Sequence, residues 1–139
     1  MPRSGNFIQF PFSQRPEGSP PVLILDVAES ELQDFYLRSG ASAKLRVHYA
    51  RRVRYLAQQG REAVFHGEWF EFLENNLYCM RFDRIGQLGN LRIIYCFYGN
   101  HIILLVPFLE KGGKCYGPAK ELAYSRLKML KEESVLWYM

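Results

Sequence analysis

Arg81, Arg92, Lys111 and Lys114 run through the second half of the sequence, and Tyr116 follows closely. The two arginines lie inside apolar runs, Leu77–Asp83 and Leu91–Tyr98, and the two lysines in a Gly-rich stretch after a third such run. Guanidinium groups fixed on strands, with ammonium groups in an adjoining loop, suit a phosphate backbone, because the planar fork of Arg binds phosphate oxygens in pairs. Little in the chain suits a metal or a covalent nucleophile. Cys79, Cys96 and Cys115 are odd in number and lack CxxC spacing, which argues against a zinc site or a disulfide framework. They read as reduced, mostly buried thiols of a cytoplasmic protein. No metal and no cofactor is expected.

A second basic feature lies upstream. From Phe35 to Arg61 there are Arg38, Lys44, Arg46, Arg51, Arg52, Arg54 and Arg61, with no Asp or Glu among them. Such a stretch is either a solvated helix face or a surface for RNA or an acidic protein, and Lys44, Arg51, Arg52 and Arg54 are the candidates for that contact. The overall balance is only mildly basic, at +4. A length of 139 residues with 48% hydrophobic and 15% aromatic content suits one domain with one core. No apolar run approaches the ~18 residues of a membrane helix, and no signal-peptide core is evident.

These residues need elements to position them. Residues 1–21 carry Pro2, Pro11, Pro16, Pro20 and Pro21 and read as an extended Pro-rich arm, leaving residues 22–139 as the single domain. Val22–Val27 reads as a first strand. Ser30 is placed to cap a helix from Glu31 to about Arg38, and Gly40 breaks it. Ser42 caps a second helix ending near Gln59 at Gly60, with Leu45, Tyr49, Val53 and Leu56 as its apolar stripe. Residues 62–76 read as a loop with a short strand or helical turn. Leu77–Asp83, Leu91–Tyr98 and Ile102–Leu109 read as consecutive antiparallel strands, the last two joined at Gly99-Asn100 and the third buried on both faces. Pro118 opens a last helix. The expectation is an α+β domain in the order β-α-α-β-β-β-α: a small antiparallel sheet of about four strands, the αα-hairpin on one face, and a short C-terminal helix.

In this order the chain resembles the RelE/HigB superfamily of toxins from bacterial type II toxin–antitoxin modules, in its phage-derived HigB-like branch. The residues that carry the resemblance are Leu77-Tyr78-Cys79-Met80-Arg81, Leu91-Arg92-Ile93-Ile94-Tyr95-Cys96-Phe97, Ile103-Leu104-Leu105 through Phe108, and Lys111 to Lys114, extended by Pro118, Glu121, Ala123 and Arg126. The basic αα-hairpin fits as well. Three departures stand out. Cys79-Met80 replaces the acidic residue that usually precedes the strand arginine, the stretch from Arg84 to Asn90 is longer than usual, and the Pro-rich arm is additional.

The resemblance implies an endoribonuclease that cuts messenger RNA in the A site of the small ribosomal subunit and so inhibits translation, with a helix-turn-helix antitoxin as partner. Such cleavage can run without metal. The 2′-oxygen attacks the neighbouring phosphorus and the 5′-oxygen leaves, which calls for fixed cations, a base and an acid. Arg92 is expected to stabilise the phosphoryl oxygens, so that Arg92→Ala would slow cleavage and spare folding. Arg81 could share the site. Lys111 or Lys114 could donate to the leaving group or hold RNA. Tyr116 could serve as acid, as base or as a stacking ring, or simply pack in its loop. His66 is the best placed histidine for a base, His101 is expected to be inert, His48 could touch RNA, and Tyr95 is expected in the core. Two alternatives use the same fold: a ParE-like gyrase inhibitor, and a non-enzymatic binding module of a phage or mobile element.

Overall fold

The computed structural model describes residues 7–9, 22–111 and 116–134. Within the Pro-rich arm, Phe7–Gln9 forms a strand, β1, antiparallel to β2, Val22–Leu25. All four side chains of β2 are buried. Helix α1, Asp26–Ser39, follows without a break, and α2 spans Ser42–Gln59. A 3-10 turn, Gly60–Phe65, leads to β3, Phe70–Glu74. Strands β4, Leu77–Ile85, β5, Gly89–Tyr98, and β6, His101–Glu110, form a meander before α3, Tyr116–Ser134. The fold is α+β, as the sequence suggests.

The sheet differs from expectation. It is six-stranded and mixed, in the order β1-β2-β6-β5-β4-β3, with β2 parallel to β6 and every other pair antiparallel. The physical reason is parity. Two helices return the chain to the end of the sheet at which β2 left it. A meander of three strands would then finish antiparallel to β2. Phe70–Glu74 adds a fourth strand, and the meander finishes parallel.

Helix boundaries differ too. α1 begins at Asp26, five residues before Glu31, with Leu25 at its N-cap and no side-chain cap. Asp26 and Glu29 in the first turn complement the helix dipole instead of Ser30. Ser42 is the first residue of α2, after an Ala41 N-cap, and its hydroxyl accepts from Arg46 Nε at 3.3 Å. Gly40 and Gly60 cap the two helices as expected, both at positive φ. α3 is 19 residues long rather than short, and Pro118 lies in its first turn, where no N–H is needed.

Register sorts the side chains into two faces. Phe82 touches Tyr49 and Arg52 of α2, so Met80, Phe82, Leu91 and Ile93 face the helical hairpin. Arg81, Arg92 and Phe108 are paired across β4, β5 and β6 on the opposite face, which α3 covers from Tyr116 onwards through Phe108. The β5–β6 ladder carries a bulge: Ile94 pairs with Val106 and Tyr95 with Leu104, leaving Leu105 extra. Its carbonyl accepts from Arg126 Nη1 at 2.7 Å, while Arg126 also pairs with both oxygens of Glu31 at 2.9 and 2.7 Å. Arg126 thereby ties α3 to β6 and α1.

The stripe Leu45, Tyr49, Val53 and Leu56 is buried, as are Cys79 and Cys96, both free thiols. β6 is central, with Ile102 to Val106 buried. Cys115 lies outside the described residues.

Tyr95 is fully buried among Phe70, Tyr78 and Phe97, and its hydroxyl has no hydrogen-bond partner. An unsatisfied buried hydroxyl costs about 1–3 kcal/mol, so Tyr95→Phe is expected to raise stability by about 1 kcal/mol. A lower urea midpoint would mean that the hydroxyl has a partner after all. Gly86, in the β4–β5 turn, has φ +49, and a Cβ there would overlap the Ser39 carbonyl, to which the next residue, Gln87, donates its N–H at 2.9 Å. Gly86→Ala is expected to cost more than the ~1 kcal/mol of left-handed strain alone, because backbone must move; thermal unfolding measures it.

Candidate active site

The face of the sheet beneath the start of α3 carries an unusual density of charge. Glu71 on β3 is the cross-strand partner of Cys79, and Arg81 is the partner of Arg92. Asp83 and Glu110 stand on the same face, each two residues from a member of this row, Arg81 and Phe108 respectively. Tyr116 reaches in from α3. Cys79, fully buried, forms the floor. Burial pushes its thiol pKa up, with nearby Arg92 opposing and Glu71 adding to the rise. Its proton is retained at neutral pH, which rules it out as a nucleophile.

Arg92 is the centre of this group and is not open to solvent: its side chain is 3% exposed. Nε donates to the Tyr116 hydroxyl at 3.1 Å, Nη1 to Asp83 Oδ1 at 2.9 Å, and Nη2 forms an ion pair with Glu110 Oε1 at 2.5 Å. Nη1 also meets the Phe82 and Leu91 carbonyls at 3.4 and 3.2 Å. Burial works against its charge, but the hydrogen bonds to Tyr116 and Asp83 prevail and its pKa is raised. A guanidinium with all its nitrogens engaged has no edge left for a phosphate. The expectation that Arg92 meets the phosphoryl group, and that its loss spares folding, is therefore revised: Arg92 holds Tyr116 and the strand ends in place.

Arg81 is the accessible cation. Its side chain is 31% exposed, its Nε is buried without a hydrogen-bond partner, and Nη1 lies 3.9 Å from Glu71 Oε1, a loose pair. Tyr116 is half-buried. Burial raises its pKa to about 12, with Arg92 opposing and Glu71 adding a smaller increment. Because Arg92 donates to its oxygen, the phenol keeps its own proton for another acceptor. The arrangement can thus hold an anion at Arg81, accept a proton at Glu71 and donate one at Tyr116.

Glu71 was not among the sequence candidates. It sits directly across from Cys79 and carries the carboxylate that the resemblance leads one to expect on β4. The available signal was the alternation Phe70-Glu71-Phe72-Leu73, which a strand would place with Glu71 on one face.

The other candidates fall elsewhere. His66 belongs to the helical-hairpin side. It stacks on Trp69 at 4.3 Å and meets Tyr55 edge-on at 5.5 Å. Arg52 Cζ covers Trp69 at 4.6 Å and also lies 4.6 Å from Phe82. Lys111 is exposed one residue past β6, and Lys114 lies outside the described residues. His101 is half-exposed at the start of β6.

The basic stretch also divides. Arg38 pairs with Asp34, Arg46 bonds Gln33 and covers Tyr36, and Arg61 bonds Tyr78 and covers Phe97. Arg52, expected at the surface, is buried, with Nε donating to the Arg81 carbonyl at 2.7 Å. It does so because β3 starts at Phe70 and leaves that carbonyl without a strand partner. Burial lowers its pKa to about 10, with Asp83 opposing, so it stays charged at neutral pH. Lys44, Arg51 and Arg54 remain exposed with no carboxylate paired to them among the described residues. His48 beside them has a lowered pKa, from burial first and then Arg52, Lys44 and Arg51, and adds no charge at neutral pH.

Comparison with family models, with curated proteins and with solved structures finds no match. Among the described residues, no group of His, Cys, Asp and Glu is placed to hold a metal ion, and no helix is long and apolar enough to cross a membrane.

Arg92→Ala is expected to destabilise the fold by about 3 kcal/mol, the scale of breaking a buried ion pair and leaving a carboxylate unpaired. Asp83, 51% exposed, contributes less to that loss than Glu110, 24% exposed. Urea denaturation measures it, and an unchanged midpoint would remove Arg92 from its structural role.

Proposed function

We propose that the chain is a toxin of the RelE/HigB kind that cleaves messenger RNA without a metal, inhibits translation, and is held in check by a helix-turn-helix antitoxin. In this reading the sheet is of the RelE type with an added N-terminal strand. The observation that supports it best is the trio on one sheet face: Arg81 accessible, Glu71 beside it, and Tyr116, whose oxygen accepts from Arg92 so that its own proton is left to donate. Glu71 takes the 2′ proton, Arg81 meets the charge that builds on the phosphoryl oxygens, and Tyr116 protonates the departing 5′-oxygen. Two nucleotides are thereby separated with no net change in charge on the protein. Arg92 positions Tyr116 and does not touch RNA. Lys44, Arg51 and Arg54 supply long-range attraction for RNA or for an acidic antitoxin segment.

In-vitro translation followed by primer extension tests it. Cuts within codons are expected, falling on the order of 10²-fold or more in Arg81→Ala and by a comparable factor in Glu71→Gln and Tyr116→Phe. An imidazole acid would lose its proton above about pH 6.5, whereas Tyr116 keeps its proton up to about 12. Cleavage should therefore not decline between about pH 8 and 10. Full activity in Glu71→Gln would show that the chemistry lies elsewhere.

A non-enzymatic binding module on the same fold is the second reading, favoured by one observation: the guanidinium of Arg92 is fully engaged by Asp83, Glu110 and Tyr116. Translation arrest without cuts would select it.

A further inference from the structure

The exposed side of α2 carries a groove of about 390 Å³ whose walls include Arg51, Arg54, Tyr55 and Gln58 from the helix and Trp69 from the approach to β3. It lies on the side of the sheet opposite Arg81 and Tyr116. Trp69 is fixed: His66 stacks on one face of the indole, so Arg52 must cover the other. The ring therefore offers its edge as a rigid wall. Tyr55 is fixed as well, stacked on Phe70 at 5.9 Å. Val47 is the one large aliphatic side chain of the lining, and no acidic residue contributes to it.

We propose that this groove binds single-stranded RNA, seating an unpaired nucleotide against Tyr55 and the Trp69 edge. Arg51 and Arg54 contact the flanking phosphates, and Gln58 meets the base edge. The combination of a cationic rim with fixed aromatic walls and an amide suits a nucleotide. An acidic amphipathic helix would need a row of apolar sockets, and a single valine does not make one. The buried Arg52 strengthens the case. Its Nη1 has no hydrogen-bond partner, and among the described residues no carboxylate forms an ion pair with it, Asp83 acting on it only through space. The site would grip the same RNA that is cut on the far face, and so rests on the RNA-directed function proposed above.

The test is a titration of the full chain with a short fluorescent RNA whose 2′-oxygens are methylated, so that it cannot be cleaved. The chain has two tryptophans, Trp69 and Trp137, and Trp137→Phe leaves Trp69 as the reporter. RNA is expected to quench Trp69, and a poly-glutamate peptide is not. Arg54→Glu, at an exposed position, is expected to weaken RNA binding on the order of 10-fold and to lower the salt slope by about 0.7 for each phosphate that is no longer neutralised. Gln58→Ala is expected to narrow the preference among bases with little effect on the salt slope. Unchanged RNA affinity in Arg54→Glu, or equal quenching by poly-glutamate, would overturn the site, the latter assigning the groove to an acidic protein. Since the RNA cannot be cut, a chain without nuclease activity gives the same titration, and the two proposals fail separately.

Discussion

A buried guanidinium sets the terms for this domain. Taking the charge of Arg92 out of water costs several kcal/mol, and only close partners offset it. Those partners come from three elements: Asp83 near the end of β4, Glu110 at the end of β6 and Tyr116 at the start of α3. Their positions are consequently coupled. The ends of three neighbouring strands cannot splay, and the helix that follows β6 must begin where its first side chain reaches Arg92. The phenol of Tyr116, fixed in this way, is the feature from which any proton-donating role would arise. A side chain can thus be essential to a site while remaining closed to a ligand.

Much of the fold could be read from the chain because its signals are local. The α2 stripe, the Gly caps, the Gly-Asn hairpin and the apolar β6 each need only a window of a few residues. What escaped reading depended on contacts between distant segments. Phe70–Glu74 is short and flanked by aromatic residues of no clear period, so its strand character comes from pairing with β4 rather than from its own pattern. Left open between a short strand and a helical turn, this one segment decides the direction of β6 relative to β2. The site was legible in part for the same reason. Arg81, Arg92 and Tyr116 were found from their strands and loop, but Arg92 could not be seen to be closed, because Asp83 and Glu110 look like ordinary strand-end acids in sequence. Arg52 is a partial case: helical spacing puts it on the stripe of Leu45, Tyr49 and Leu56, but only the contact with β4 shows that it turns inward to cap a strand carbonyl.

Charge is distributed unevenly between the two sides of the sheet. Under α3, Arg81 and Arg92 face Glu71, Asp83 and Glu110, so the cluster has little net attraction for a polyanion. On α2, Lys44, Arg51 and Arg54 have no such counterweight. A site that exchanges protons benefits from this balance, since a carboxylate beside an arginine can serve as a base only if the pair is not locked. At 3.9 Å the pair of Arg81 and Glu71 is not locked, whereas the contacts of Arg92 are close. On the proposed reading, affinity for RNA must then come from elsewhere on the molecule. The exposed face of α2, with Lys44, Arg51 and Arg54, is the surface to which that reading assigns it. On the proposed reading, holding and cutting are assigned to opposite faces. Each face can then satisfy its own electrostatic requirement, which a single patch could not do for both.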